Sequence, residues 1–148
     1  MGKIGVFIYN GFQEMEFWYP VLRLREIGAE VVVIGVEGTE AATSVLGYPV
    51  VPNVAMAATS PGDYAALIVP GGNVGTLTEN AAFGEFLRAA AASTAPKHVR
   101  IAAVSQAIAP VTSFVHQSLG RDAPPVLTAP TTDDVPQLMR NLLKELES

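Results

Sequence analysis

Short apolar runs alternate along the chain with longer segments in which apolar residues recur at helical spacing. The runs are six to eight residues long and rich in Val, Ile and Ala, as expected for strands buried on both faces of a parallel sheet. Their order is typical of a doubly wound α/β sandwich. The predicted strands are KIGVFIY (3–9), AEVVVIGV (29–36), YAALIVP (64–70) and VRIAAV (99–104), and the predicted helices cover 13–27, 79–92, 106–119 and 132–146.

Two segments add detail to this single predicted domain, 1–148. Within residues 37–63, TSVLGYPVVPNVAM predicts a small strand pair with prolines at its edges. The last helix has acidic residues near its positive end and apolar residues on one face. These are Asp133 and Asp134, followed by Val135, Leu138, Met139, Leu142, Leu143 and Leu146.

The first helix carries a glutamate of interest in NGFQEMEFWYP. Helical spacing predicts a core-facing stripe of Phe12, Met15, Trp18 and Leu22, with Glu14 and Glu16 off that stripe. Pro20 cannot donate to the carbonyl of Glu16, so a kink or restart is expected there. Glu16 is therefore either a partly desolvated carboxylate over the strand ends or one of two solvated glutamates at a helix N-terminus.

Composition narrows the possible functions. The chain is 49% hydrophobic with a net charge of −5, and its nine Lys and Arg residues are scattered singly. Disorder of the whole chain is excluded, and no basic stripe is available for nucleic acid. Because the chain has no cysteine, disulfides, thiolate chemistry and cysteine-based metal sites are excluded as well. We expect neither a metal nor a cofactor.

The sequence shows no targeting or membrane segment. No stretch approaches the ~20 apolar residues of a membrane helix, and the N-terminal apolar run is too short for a signal peptide. We therefore expect a cytoplasmic protein without a membrane partner.

Three loops should meet beyond the carboxyl ends of the strands, where doubly wound sheets bind ligands. They are NGFQEME, PGGNVGT and SQA. In PGGNVGT, the amides of Gly71 and Gly72, beside Asn73, can form an anion or oxyanion nest. The alternative is a tight turn, and neither nucleotide-binding glycine motif is present.

Ser105 lies where a strand turns into a helix, the position of a nucleophile elbow. Ala103 and Ala107 are small enough for such an elbow, although Ser105 could equally cap the helix that follows. A serine nucleophile needs an adjacent base. His98 is ~23 Å away along an extended strand and His116 ~16 Å along a helix, so neither reaches Ser105 unless the helix breaks or a partner subunit supplies the base.

The three loops together resemble the ThiJ/PfpI superfamily of PfpI-type intracellular proteases, glyoxalases, deglycases and chaperones. The likeness runs from about residue 3 to 106, with DYAALIVPGG (63–72) as its most specific element, and resumes in LTAPTTDDVPQLMRNLLKELE. It implies a three-layer, flavodoxin-like fold with a mainly parallel sheet and helices on both faces.

The resemblance also assigns roles to individual residues. Glu16 matches the glutamate that hydrogen-bonds the family's catalytic thiol, and Gly71 and Gly72 match glycines whose amides face the reacting oxygen. Ser105 stands where the family keeps its nucleophilic cysteine, and Gln106 where many members have histidine. The reactive pair is thus Ser-Gln rather than Cys-His.

A second departure from the family concerns the chain after about residue 120. A strand, a helix and one wall of the pocket are expected to be missing there, which would open the site to water. Relatives are often dimers, and an exposed sheet edge would favour self-association. We expect a homodimer.

Two functions follow from these patterns. The first is a binding or stress-response module, a pseudoenzyme without the family's thiol chemistry that holds a small-molecule ligand. The second is a hydrolase or lyase using Ser105, with Glu16 as base or proton relay and the Gly71 and Gly72 amides as oxyanion donors.

Overall fold

A six-stranded parallel sheet forms the centre of the molecule. The computed structural model describes residues 2–93 and 98–147, so that residues 94–97 and the two terminal residues of the predicted domain lie outside the described part. The strand order is β5-β2-β1-β6-β7-β8, with β1 and β6 in the middle. The sheet strands are β1 (Lys3–Ile8), β2 (Val31–Gly35), β5 (Val54–Ala55), β6 (Tyr64–Val69), β7 (Arg100–Val104) and β8 (Leu127–Ala129).

Helices cover both faces of this sheet. They are α1 (Glu14–Glu26), α2 (Gly75–Thr78), α3 (Ala81–Ala92), α4 (Ile108–Leu119) and α5 (Val135–Glu147). Helix α1 packs against α5, and α3 packs against α4. The predicted three-layer, doubly wound α/β fold is thereby confirmed, with the four long strands and four long helices within a few residues of their predicted bounds.

The strand pair predicted within residues 37–63 is present. β3 (Ala42–Thr43) and β4 (Pro49–Val50) are antiparallel, with Thr43 opposite Pro49. The tip of this hairpin contacts the start of α1, because the amide of Leu46 donates to Glu14 Oε2 at 3.0 Å. The hairpin thus lies beside the loop that follows β1.

The predicted inward face of α1 is wrong in part: Phe12 is buried and Trp18 packs against the core as expected, but the other two members of the stripe are exposed. Met15 and Leu22 are 55% and 57% exposed, whereas the buried face consists of Glu16, Phe17, Pro20, Val21 and Leu24. The prediction took the aromatic and aliphatic residues as one stripe and placed the glutamate outside it. Glu16 instead begins the buried face, and Pro20 lies within a helix that runs from Glu14 to Glu26 without a restart.

The closing helix agrees with its predicted face. Val135, Leu138, Met139 and Leu142 are buried, and Leu143 and Leu146 pack against the core. Between α4 and β8 the chain contains a short 3-10 turn, Gly120–Asp122. Only residues 120–126 therefore connect the end of α4 to the last strand.

Two leucines of α1 provide a matched test of the corrected helix face. Leu24→Ala should destabilise the protein by about 2–5 kcal/mol, because Leu24 is fully buried and the change leaves a cavity. Leu22→Ala should change the free energy of unfolding by no more than about 0.5 kcal/mol, as is usual on the surface. Urea unfolding of both variants checks this, and equal losses would contradict the assignment.

Candidate active site at the end of the central strands

Ser105 occupies a strained elbow directly after β7. Among the residues that the structure describes, Ser105 is the one non-glycine residue with a positive φ, 44°. This left-handed backbone conformation costs about 1–2 kcal/mol. Both flanking alanines, Ala103 and Ala107, are fully buried. Helix α4 is capped at Ala107 without a side-chain hydrogen bond. The serine is thus not the helix cap, and its hydroxyl is directed to other side chains.

Glu16 is the main partner of that hydroxyl. The Ser105 Oγ lies 2.8 Å from Glu16 Oε1 and 3.0 Å from Oε2. Two further donors reach the carboxylate, the amide of Gly71 at 2.9 Å and the Thr132 hydroxyl at 2.6 Å. Glu16 is only 2% exposed, and a buried carboxylate needs such partners. Of the two alternatives for Glu16, the solvated glutamate is therefore wrong.

Backbone contacts between two loops place Glu16 at the elbow. Gln13 caps α1, since its side chain accepts from the amide of Glu16 at 2.8 Å. The amide of Gln13 donates to the carbonyl of Gly71 at 2.9 Å, and the amide of Asn73 donates to the carbonyl of Gly11 at 2.8 Å. The loops after β1 and β6 are thus joined as a short antiparallel bridge, which fixes the start of α1 over the strand ends.

Both glycines of this bridge are required by space or backbone geometry. A Cβ on Gly71 would lie 2.5 Å from Glu16 Oε1 and closer still to Ser105 Oγ. Gly72 has a φ of 132°, and a Cβ there would lie 2.9 Å from the amide nitrogen of Gln13. Larger residues at either position would separate the carboxylate from the serine or the two loops from each other.

Gln106 lies over the serine from the solvent side. Its Oε1 is 2.6 Å from Ser105 Oγ and accepts from the amide of Gly72 at 3.3 Å. The amide of Gly71 is already bonded to Glu16. Consequently, both amides that sequence analysis assigned to an oxyanion are engaged by side chains of the protein itself.

The serine has more acceptors than protons. Three oxygens lie within 3.0 Å of its Oγ, two from Glu16 and one from Gln106, but a hydroxyl donates only one hydrogen. When that hydrogen points to Glu16, the lone pairs of Oγ face the Gln106 oxygen, which is also an acceptor. A hydrogen-bond donor at this place would suit Ser105 better than the Gln106 oxygen does.

Thr132 is a site residue that sequence analysis missed. It follows β8, and its neighbour Thr131 forms a capping box with Asp134, whose carboxylate accepts from the Thr131 hydroxyl at 2.8 Å and from the Thr131 amide at 3.1 Å. This box fixes the backbone from which Thr132 reaches Glu16. The sequence around it offered only TTDD at the start of the last predicted helix, within the segment LTAPTTDDVPQLMRNLLKELE that resembles the family.

Tyr9 supports the site from beneath. Its hydroxyl donates to the carbonyl of Pro70 at 2.6 Å, and its side chain is fully buried. Burial, together with the negative charge of Glu16, raises the pKa of the Tyr9 phenol above its ordinary value of 10.0. The phenol therefore stays protonated and keeps the loop after β6 in place.

The remaining predicted residues lie apart from this cluster. His98 contacts the carbonyl of Ser93 before β7, at the opposite end of that strand from Ser105, and His116 is exposed in the last turn of α4. The exposed Asn73 joins the loops through its backbone. A groove of about 450 Å³ covers the elbow and is lined by Gln13, Glu16, Val45, Gly72, Ser105, Gln106, Pro130, Thr131 and Thr132.

Within residues 2–93 and 98–147, no helix is long and apolar enough to cross a membrane. No group of three or more His, Cys, Asp or Glu side chains in these ranges is arranged to hold a metal ion.

The elbow, the buried glutamate and the glycine loop together define a protein of the ThiJ/PfpI type. The model of the DJ-1/PfpI family matches residues 2–113, which include every one of these elements. The chain belongs to the DJ-1/PfpI family.

Two curated relatives match part of the chain. The chain spans 41% of the length of each of two curated relatives, uncharacterized proteins from Archaeoglobus fulgidus and Staphylococcus saprophyticus. They are 36% and 31% identical to it over 70 residues, or 47% of this chain.

Solved structures of low identity share the fold. Drosophila melanogaster DJ-1beta superimposes with a TM-score of 0.81 at 20% identity, covering 98% of this chain and 90% of that chain. Oxidized Toxoplasma gondii DJ-1 gives 0.78 at 23% identity, with 99% and 91% covered. A cysteine-to-alanine mutant of a DJ-1 superfamily protein from Salmonella typhimurium gives 0.76 at 20%, with 99% and 90% covered.

The Thr132 contact leads to a stability test. Thr132→Val keeps the side-chain shape but leaves Glu16 Oε2 without that donor, so it should destabilise the protein by about 1–3 kcal/mol. Thr128→Val, at an exposed position of β8, is the matched control and should cost no more than about 0.5 kcal/mol. Urea unfolding measures both, and indistinguishable values would show that Glu16 does not depend on Thr132.

Tyr9 gives a pH-dependent test. Below about pH 10 the folded and unfolded chains both keep the phenol proton, whereas at higher pH the unfolded chain loses it first, so stability falls as pH rises. Tyr9→Phe should cost about 1 kcal/mol at neutral pH through the lost hydrogen bond. Its deficit relative to the native protein should shrink at alkaline pH. Urea unfolding at about pH 8 and about pH 11 checks this, and a constant deficit would be the contrary result.

Proposed function

We propose that this DJ-1/PfpI family protein is a non-covalent binding module for a small molecule, without the thiol chemistry of the family. The observation that carries the proposal is the position of Gln106, whose carboxamide contacts both the Ser105 hydroxyl and the Gly72 amide. A substrate carbonyl would need those same two groups, one as nucleophile and one as oxyanion donor. The uncharged side chain of Gln106 already occupies the place of that carbonyl.

The surroundings of Ser105 support the same function. The serine hydroxyl contacts a carboxylate that already accepts from Gly71 and Thr132, so its acceptor capacity is largely used. Neither histidine lines the groove over Ser105. A hydroxyl without a free base is a weak nucleophile, whereas its hydrogen-bonding capacity remains useful for holding a ligand.

The proposal extends to the setting of the protein. We expect a cytoplasmic homodimer that takes part in a stress response, as the resemblance to the superfamily implies. Residues of one chain line the ligand groove over Ser105, from the segments that follow β1, β6, β7 and β8 and from the β3–β4 hairpin.

One observation favours a second function, a hydrolase or lyase that uses Ser105. The Ser105 hydroxyl lies 2.8 Å from a Glu16 oxygen, within the reach of a general base. In this alternative, Glu16 takes the serine proton and the Gly72 amide binds the oxyanion after Gln106 has moved away. Glu16→Gln would then abolish activity while leaving the protein folded.

Labelling with a fluorophosphonate probe separates the two functions. We expect no adduct at Ser105 of the native protein at neutral pH, by peptide mass spectrometry, under conditions that fully label an ordinary serine hydrolase. Ser105→Ala serves as the control for adducts at other residues. An adduct at Ser105 would overturn the binding function in favour of the serine enzyme, and its loss in Glu16→Gln, with circular dichroism verifying that the variant is folded, would assign the base to Glu16.

A further inference from the structure

Gln106 separates two grooves at the surface. On one side is the groove over Ser105 and Glu16 already described. On the other is a groove of about 430 Å³ between α2 and α4, which also has Gln106 as a wall. Its lining is mainly apolar and consists, besides Gln106, of Val74, Thr78, Ala109, Pro110, Ser113, Phe114 and Gln117.

The Gln106 carboxamide satisfies only part of its position. Its oxygen accepts from the Gly72 amide, but the same oxygen lies 2.6 Å from Ser105 Oγ, so when the serine hydrogen points to Glu16 two acceptor oxygens face each other there. The Gln106 side chain is exposed. Because it is exposed, it can rotate into water at small cost. The Gly72 amide and the Ser105 oxygen are then open in the groove over Ser105, next to the apolar groove that Gln106 also lines.

From this arrangement we propose that Gln106 is a built-in competitor, and that the ligand that displaces it is a small primary carboxamide with an apolar tail. The ligand oxygen would accept from the Gly72 amide and its N–H would donate to Ser105 Oγ. The tail would then lie along Pro110 and Phe114. The inference rests on the proposed non-covalent function, and no bond is made or broken.

The buried glutamate selects an amide over an acid. Ser105 Oγ is within 3.0 Å of both Glu16 and the Gln106 oxygen, so a ligand carboxylate would bring a second negative charge close to a carboxylate that is 2% exposed. Like charges at such a buried site repel strongly. A carboxylate also lacks the N–H that the serine oxygen can accept.

The test compares two probes that differ only in this head group. Hydrocinnamamide carries a phenyl ring on a two-carbon linker to a carboxamide, and hydrocinnamate is the matched acid. Their dissociation constants are measured by NMR titration on the native protein, on Gln106→Ala, and on Gln137→Ala, an exposed glutamine of α5, with circular dichroism to verify that each variant is folded.

We expect hydrocinnamamide to bind Gln106→Ala about tenfold more tightly than the native protein, because the competing side-chain hydrogen bonds are gone. Gln137→Ala should bind it as the native protein does. Hydrocinnamate should bind Gln106→Ala at least about tenfold more weakly than the amide. Equal binding of the amide to Gln106→Ala and the native protein, or equal binding of acid and amide, would overturn the inference.

A second variant tests the position of the tail. Ser113 is exposed and lines the apolar groove, so Ser113→Trp, made in the Gln106→Ala background, should fill that groove. Its affinity for hydrocinnamamide should fall by about tenfold, while its affinity for propanamide, which has almost no tail, stays the same. Unchanged affinity for hydrocinnamamide would contradict the tail's location.

The outcomes keep this inference separate from the proposed function. Fluorophosphonate labelling of native Ser105 would overturn the non-covalent function whatever the amide does. Absence of labelling together with equal binding of acid and amide would leave the non-covalent function standing and overturn the carboxamide inference alone.

Discussion

The hydrogen bonding of one buried carboxylate holds the functional end of this protein together. Glu16 accepts from Gly71, Ser105 and Thr132, which are 55, 89 and 116 residues away along the chain. Each donor belongs to a different loop at the carboxyl ends of the parallel strands. Since an unpaired buried charge is costly, each of these loops keeps its position partly because the glutamate requires a donor there. The carboxylate is thus a structural centre whether or not it takes part in chemistry.

The fold could be predicted from sequence where a segment has a clear pattern of apolar and polar residues. The runs around Val6, Ile68 and Ala102 are buried on both faces, so continuous apolar sequence identified them. The face of α1 could not be assigned this way, because its buried side includes Glu16 and Pro20, while Met15 and Leu22 are exposed. A charged residue that is buried for its hydrogen bonds has the sequence pattern of a surface residue.

The candidate site was predictable only in part for a related reason. Ser105, Glu16 and the two glycines follow strands or belong to a recognisable motif. Thr132 carries no such signal, since its role depends on the capping box between Thr131 and Asp134 and on the pairing of β8 with β7. The direction of the Gln106 side chain is equally invisible in sequence, because it is decided by one rotamer at the turn between a strand and a helix.

The lengths of the outer strands also limit how copies of this chain can associate. In the described part of the chain, the sheet ends on one side in β5, of two residues, and on the other in β8, of three. An edge recruits a foreign strand through its row of open amides and carbonyls, and edges this short offer few of them. Self-association of this chain is therefore expected to depend on side chains of its helices and hairpin, so its strength should respond to surface substitutions rather than to strand pairing.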